Sequence, residues 1–236
     1  MTDAKLTPAD LEALRAFDTP TICNALEIVA PERRGMGYTV EPLECPFPDL
    51  PPIVGYARTA SIRAMLPTAR SGQEMKAQRM AYYEYVAGGQ GPTVSVIQDL
   101  DGGRKGYGAF WGEVQSNIHN GLGCLGVVTD GSVRDIPDWS EGFQALAGRI
   151  GPSHAHVHLQ NFGETVNVAG MVVSSGDIIH ADRHGAVVVP ASVVKKIPVA
   201  VDLLVRREAV ILEACRKPGF DIEALRRAMA GADEIH

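Results

Sequence analysis

The 236 residues are 45% hydrophobic and 21% charged, globular proportions that suit one large domain or two small ones with a sizeable core. Acidic residues (28) outnumber basic ones (22) for a net charge of −6, and no basic stripe appears, so nothing points to nucleic acid. No apolar run approaches a membrane span, no leader is visible at the N-terminus, and the four cysteines lack CxxC or zinc spacing, so a soluble, cytoplasmic protein with buried reduced thiols is expected.

Along the chain, LTPADLEALRAF places Thr7 before Pro8, with acids in the first turn and Leu11, Leu14 and Phe17 on one face, which predicts an amphipathic helix. DTPTICNALEIV repeats the device, with Asp18 or Thr19 as the cap. Residues 31–52 are proline-rich and aperiodic, hence a loop, and VGYARTASIRA alternates like a strand. SGQEMKAQRMAYYEYVA predicts a helix with Met75, Met80, Tyr83 and Val86 toward the core.

GPTVSVIQDLDGG then reads as a turn, a strand and an acidic glycine loop. FWGEVQSNIHNGLG reads as a helix closed by glycine, and CLGVVTDG as a buried strand. Two strand-to-helix crossovers imply parallel pairing and an α/β core. Residues 143–189 break into short strands with RHG as a tight turn, and helices follow over roughly 191–216 and 220–231, Pro198 kinking or splitting the first. With no repeat and no linker, a single domain is expected over 1–236: N-terminal helices 7–30, core 53–190 and C-terminal helices 191–232.

Ligands of open α/β sheets bind outside the carboxyl ends of the strands, and here IQDLDGG and TDGSVRD are the polar, glycine-rich ends. GAFWGEVQS between them starts a helix whose unpaired N–H groups suit a carboxylate or phosphate, with Gly112 permitting close approach. Arg134 offers a planar fork for an anion or polarised carbonyl, and Asp135 a hard oxygen ligand of the kind Mg²⁺ takes. Spacing alone leaves two readings open. One is a small anion held by N–H groups and Arg134 with a metal on Asp135; the other is a helix-start ion pair.

GEVQSNIHNGLGCLGVVTDGSVRD resembles the signature shared by the class II pyruvate aldolases acting on 4-hydroxy-4-methyl-2-oxoglutarate or 4-carboxy-4-hydroxy-2-oxoadipate and by their RraA-like relatives. SSGDIIHADRHGAVVVP, FDTPTICNALE and VGYARTA resemble further segments of that family, so the likeness runs over most of residues 7–215. The resemblance implies a swivelling α/β/β sandwich, assembled as a homotrimer or a dimer of trimers. It also implies that the amides of Gly112, Glu113, Val114 and Gln115 bind the carboxylate of a 2-oxo acid. Arg134 would contact the carbonyl or enolate oxygen, Asp135 would ligate Mg²⁺ or Mn²⁺, and Glu113 would order water and help move a proton. An acid from a neighbouring subunit's C-terminal helix, Glu208 or Glu213, would complete the surroundings.

The chain departs from the pattern at Ser175, where the family has proline, at ALAGRIGPSHAHVH, and at the aromatic GRKGYGAFW, all of which bear on the substrate's distal group. His154, His156 and His158 at alternate positions would share one strand face, a surface or subunit contact before a metal site. His180 and His184 read as surface or interface residues and His119 as structural, while Asp99 and Asp101 could help shape the pocket, with solvated loop acids as the default reading.

The expected activity is metal-assisted retro-aldol cleavage of a 4-hydroxy-2-oxo acid to pyruvate and a second carbonyl compound, with oxaloacetate decarboxylation as a side reaction. The alternatives are a non-catalytic RraA-like binding protein that modulates a partner, and another metal–enolate reaction, lyase or hydratase, on a sugar-derived oxo acid.

Overall fold

A computed structural model describes residues 6–235; the first five residues, part of the N-terminus read for a leader, lie outside the described residues, as does His236. Thr7 and Asp10 exchange the two hydrogen bonds of a capping box and start α1 (Pro8–Leu14), and Asp18 caps α2 (Thr19–Val29) by accepting from the Thr21 amide at 2.9 Å. The proline-rich loop is tied down by two isolated bridges, Tyr38 to Val187 and Glu44 to Ala147.

β1 (Ile53–Arg63) is buried along its length except at Arg63, so it is a central strand rather than the half-buried one its alternation suggested. Its one buried cation, Arg58, donates to the carbonyls of Gly88 and Gln90, where it meets the carboxyl end of α3 (Gly72–Ala87). In α3 the core side chains are Tyr82 and Val86, while Met80 is 57% exposed and Met75 half-buried. The expected face was therefore rotated, because Tyr82, not Tyr83, fills the space above the sheet.

The chain continues through β2 (Thr93–Asp99), β3 (Ala109–Trp111), α4 (Glu113–Gly121), β4 (Cys124–Thr129), β5 (Ser132–Val133), β6 (Gln144–Leu146), β7 (Arg149–Ile150) and β8 (His158–Phe162). β9 (Val166–Val168) and β10 (Met171–Val173) form a hairpin, β11 (Ile178–Asp182) and β12 (Gly185–Val189) another, and α5 (Ile197–Cys215) and α6 (Ile222–Asp233) follow. Pro198 sits in the first turn of α5, after a 3-10 segment over Ala191–Lys196, and so separates the two helical stretches.

The main sheet has the order β12-β11-β1-β2-β4-β6, and β8 pairs with the far end of β1. β1, β2, β4 and β6 are parallel; β8, β11 and β12 run against their neighbours. A second, wholly parallel sheet is ordered β3-β5-β7. After each of β2, β4 and β6 the chain leaves the main sheet and supplies the next strand of the second. The turn after β6 needs Gly148, because a Cβ there would collide with the backbone oxygen of Asp130. This mixed-sheet architecture with flanking helices is the expected α/β/β sandwich.

Three expectations change here. His180 is buried, not on the surface: Nε2 lies 3.2 and 3.1 Å from the carbonyls of Leu14 and Phe17, and Nδ1 is 3.0 Å from the Thr19 hydroxyl. It pins β11 to the turn between α1 and α2, whereas His184 is exposed and pairs with Asp182. His154 and His156 precede β8 rather than lie in it, since Ala155 is left-handed at φ +44°. Of the cysteines only Cys124 is buried; Cys215 is exposed at the end of α5. No helix among the described residues is long and apolar enough to cross a membrane.

Candidate functional site

The carboxyl ends of β3, β5 and β7 lie side by side, and the chain leaves them at Gly112, Arg134 and Gly151. The Arg134 amide donates to Trp111 at 3.0 Å and the Gly151 amide to Val133 at 2.9 Å, extending the small ladder to its rim. Arg134 and Asp135 thus follow β5, one strand beyond the β4 end that the sequence suggested. Asp130-Gly131, at the end of β4, is only the corner between the sheets.

Gly112 is the N-cap of α4, in extended conformation and with no side chain capping the helix. The first helical bond runs from Ser116 to Gly112 at 3.0 Å, so the amides of Glu113, Val114 and Gln115 have no protein acceptor among the described residues. Asp135 takes the left-handed conformation at φ 54° and starts a 3-10 turn, Ile136–Asp138. Arg134 and Asp135 are each about a third exposed, and Nε of the arginine is 3.4 Å from Oδ2 of the aspartate. A Cβ on Gly112 would run into that same Oδ2.

A cleft of about 550 Å³ opens over this rim. Gly112, Val114, Gln115, Arg134 and Asp135 all line it, while Glu113 is exposed at the helix start and stands outside the wall. Glu208 and Glu213 are exposed on α5 and do not line the cleft of their own chain; Glu213 belongs to a groove between α5 and α6. The opposite wall was not legible as a site: Arg70, Met75 and Arg79 come from α3 and its approach. Arg79 lies in the segment read as a core stripe and Arg70 immediately before it. Arg70 donates to the carbonyls of Leu159 and Gln160 and so fixes β8 beside the cleft.

His154, His156 and His158 close the third side. Among the described residues no three histidines, cysteines or acids are grouped so as to hold a metal. Among the described residues Asp135 is the only acid in the cleft wall.

Two buried networks hold the rim. Beneath α4, His119 is fully buried, with Nδ1 2.7 Å from the Gln115 carbonyl and Nε2 2.9 Å from the Tyr82 hydroxyl. Burial lowers its pKa to about 4, so the ring is neutral at neutral pH. A carbonyl only accepts, so Nδ1 carries the proton and the Tyr82 hydroxyl donates to Nε2. Its expected structural role is met.

At the sheet corner, Asp99 is fully buried rather than solvated and accepts from the amides of Asp101 and Gly106 at 2.9 and 2.7 Å. Asp130 accepts from the Asp99 amide at 2.7 Å, and its other oxygen is 2.7 Å from Lys105 Nζ. Burial pushes both carboxyls up, and the hydrogen bond to Asp130 pushes Lys105 up. Asp101 accepts from the amides of Ala64 and Met65, so these acids shape the loop leading into β3.

The sequence model of the family described as RraA-like (Aldolase/RraA) matches residues 19–188. A protein of Marinomonas sp. (strain MWYL1), provisionally named 4-hydroxy-4-methyl-2-oxoglutarate aldolase, is 33% identical over 95 residues, 39% of this chain and 58% of the relative. An uncharacterized protein of Methanocaldococcus jannaschii is 33% identical over 96 residues, 40% of this chain and 46% of the relative. The chain thus spans about half the length of the curated relatives it matches. Among solved structures, Streptomyces coelicolor RraAS2, described as an unusual member of the RNase ES inhibitor RraA protein family, superposes with TM-score 0.66 at 22% identity over 91% of this chain and 99% of that one. An uncharacterized protein from Pseudomonas syringae pv. tomato gives 0.67 at 20% identity over 94% and 99%. Both likenesses are of fold.

Proposed function

Because the chain belongs to the RraA-like (Aldolase/RraA) family, we propose that it is a divalent-metal-dependent aldolase. It cleaves a 4-hydroxy-2-oxo acid to pyruvate and a second carbonyl compound, and decarboxylates oxaloacetate as a side reaction. The observation that carries this reading is the meeting of Gly112, Arg134 and Asp135 at one rim, beside a helix start with three free amides.

A metal fits the residues present. A Cβ on Gly112 would fill the space at the Asp135 carboxylate, and Mg²⁺ or Mn²⁺ needs few protein carboxylates when water and substrate supply the remaining oxygens. When bound, such an ion supplies Lewis-acid polarisation of the 2-oxo acid. Asp135 would hold it.

The amides of Glu113, Val114 and Gln115 bind the substrate carboxylate at the positive end of α4. As the C4 hydroxyl gives up its proton and the C3–C4 bond breaks, the bonding pair moves into an enolate, and Arg134 stabilises the developing negative oxygen. Glu113, exposed beside the cleft, orders water that takes up the C4 hydroxyl proton and returns one to C3 to release pyruvate. Loss of CO₂ from oxaloacetate leaves the same enolate. No lysine lines the cleft among the described residues, so no amine is placed for a Schiff base. The protein acts as a homotrimer or a dimer of trimers, in which Glu208 or Glu213 of a neighbouring copy completes the site.

A Mn²⁺ titration tests this against a binding protein of the same fold. Saturable micromolar binding that disappears in Asp135→Ala supports the enzyme, and no binding by the native protein contradicts it.

A further inference from the structure

Gln115 stands in the first turn of α4 and lines the cleft beside Arg134 and Asp135. Its backbone carbonyl is already committed, accepting from His119 at 2.7 Å, while its N–H is one of the three free amides. Its side chain is held from the other direction. Tyr83, on α3, donates its hydroxyl to Oε1 over 3.1 Å. The two Nε2 hydrogens have no protein acceptor among the described residues. A carboxamide whose oxygen is engaged by a phenol has only donors left to offer a ligand.

Tyr83 is itself kept in place. Its ring is 5.7 Å from that of Tyr82 and meets His119 edge-on at 5.8 Å. A free glutamine gives up several rotamers when it binds an anion, and a side chain already fixed by its neighbours has less to lose.

We propose that the Gln115 side-chain amide binds the substrate carboxylate alongside the α4 amides, and that Tyr83 is the positioning residue that orients it. The inference rests on the 2-oxo acid reading above and adds a specificity-determining donor to it.

Oxalate, a planar mimic of the pyruvate enolate, is titrated calorimetrically into the Mg²⁺-supplemented protein. Gln115→Leu keeps the bulk and removes the donors, and is expected to weaken oxalate about tenfold or more, as loss of a hydrogen bond to a charged group does. Gln115→Glu weakens it further by placing a second carboxylate against the ligand. Tyr83→Phe costs a few-fold in the native background and nothing once Gln115 is leucine, because its effect runs through the amide. A purely structural Tyr83 would cost the same in both backgrounds, and that result overturns the proposal. So does oxalate binding by Gln115→Leu within about twofold of native. Should the native protein bind no oxalate, the 2-oxo acid reading fails and this inference with it, an outcome distinct from the other two.

Discussion

Gly112 lies so close to Asp135 that a Cβ on the first would collide with the second's Oδ2. The two residues are far apart in sequence and meet because β3 and β5 end together. The Gly112 backbone is extended at φ −170°, a conformation open to any residue, so glycine is required by the contact and not by the backbone. Gly112→Ala should therefore lower pyruvate-forming activity by about two orders of magnitude, because small displacements of reacting groups cost that much. The melting temperature should fall by only a few degrees. Activity within about twofold of native would show that the carboxylate has no fixed position to lose.

Asp135 is one of three non-glycine residues with positive φ among the described residues. Holding a carboxylate there costs on the order of 1 kcal/mol, a sign that placement outweighs stability. Asp135→Gly should remove Mn²⁺ binding without lowering thermal stability, and by releasing the strain should raise it by up to about 1 kcal/mol. Thermal unfolding with and without Mn²⁺ checks both halves; a marked loss of stability would make the residue structural.

The three histidines of the cleft flank are read as ligand-facing, not metal-holding. His154→Ala, His156→Ala and His158→Ala should each leave Mn²⁺ stoichiometry unchanged and affinity within about twofold. Loss of a bound ion in any of them would move the metal from Asp135 to this loop.

Burial lowers the pKa of both His119 and His180, the former to about 4. Unfolded histidine titrates near 6.5, so below that pH the unfolded chain binds more protons than the folded one. Stability should therefore fall as pH drops below about 6.5, by up to about 1.4 kcal/mol per pH unit from His119 down to about pH 4, with His180 adding to the fall in the same direction. Urea unfolding from pH 7 to 4.5 measures this. His119→Gln should flatten the slope; an unchanged slope would mean that His119 is protonated in the folded state.

The helix caps, the parallel core strands and the Arg134–Asp135 pair were legible because they depend on local chemistry: Thr7, Asp18 and Gly112 act on neighbours a turn away. What was not legible depends on the second sheet. β5 is two residues long, too short to leave a period, so the site was expected at the end of β4. Burial of Asp99 and His180 likewise follows from partners far along the chain, Asp130 for the first and Leu14, Phe17 and Thr19 for the second. Arg79 was hidden for another reason: a cation within a helical stripe looks the same whether the helix faces solvent or a cleft.

Pyruvate release tests the central claim most directly. Purified protein is supplied with Mg²⁺ or Mn²⁺ and either a 4-hydroxy-2-oxo acid or oxaloacetate, and pyruvate is followed for the native chain, Arg134→Ala and Asp135→Ala. The native protein should form pyruvate from both substrates only when the metal is present. Arg134→Ala should be slower by several orders of magnitude and Asp135→Ala inactive, both remaining folded. No pyruvate from either substrate, or pyruvate formed equally well by Asp135→Ala, would contradict the account.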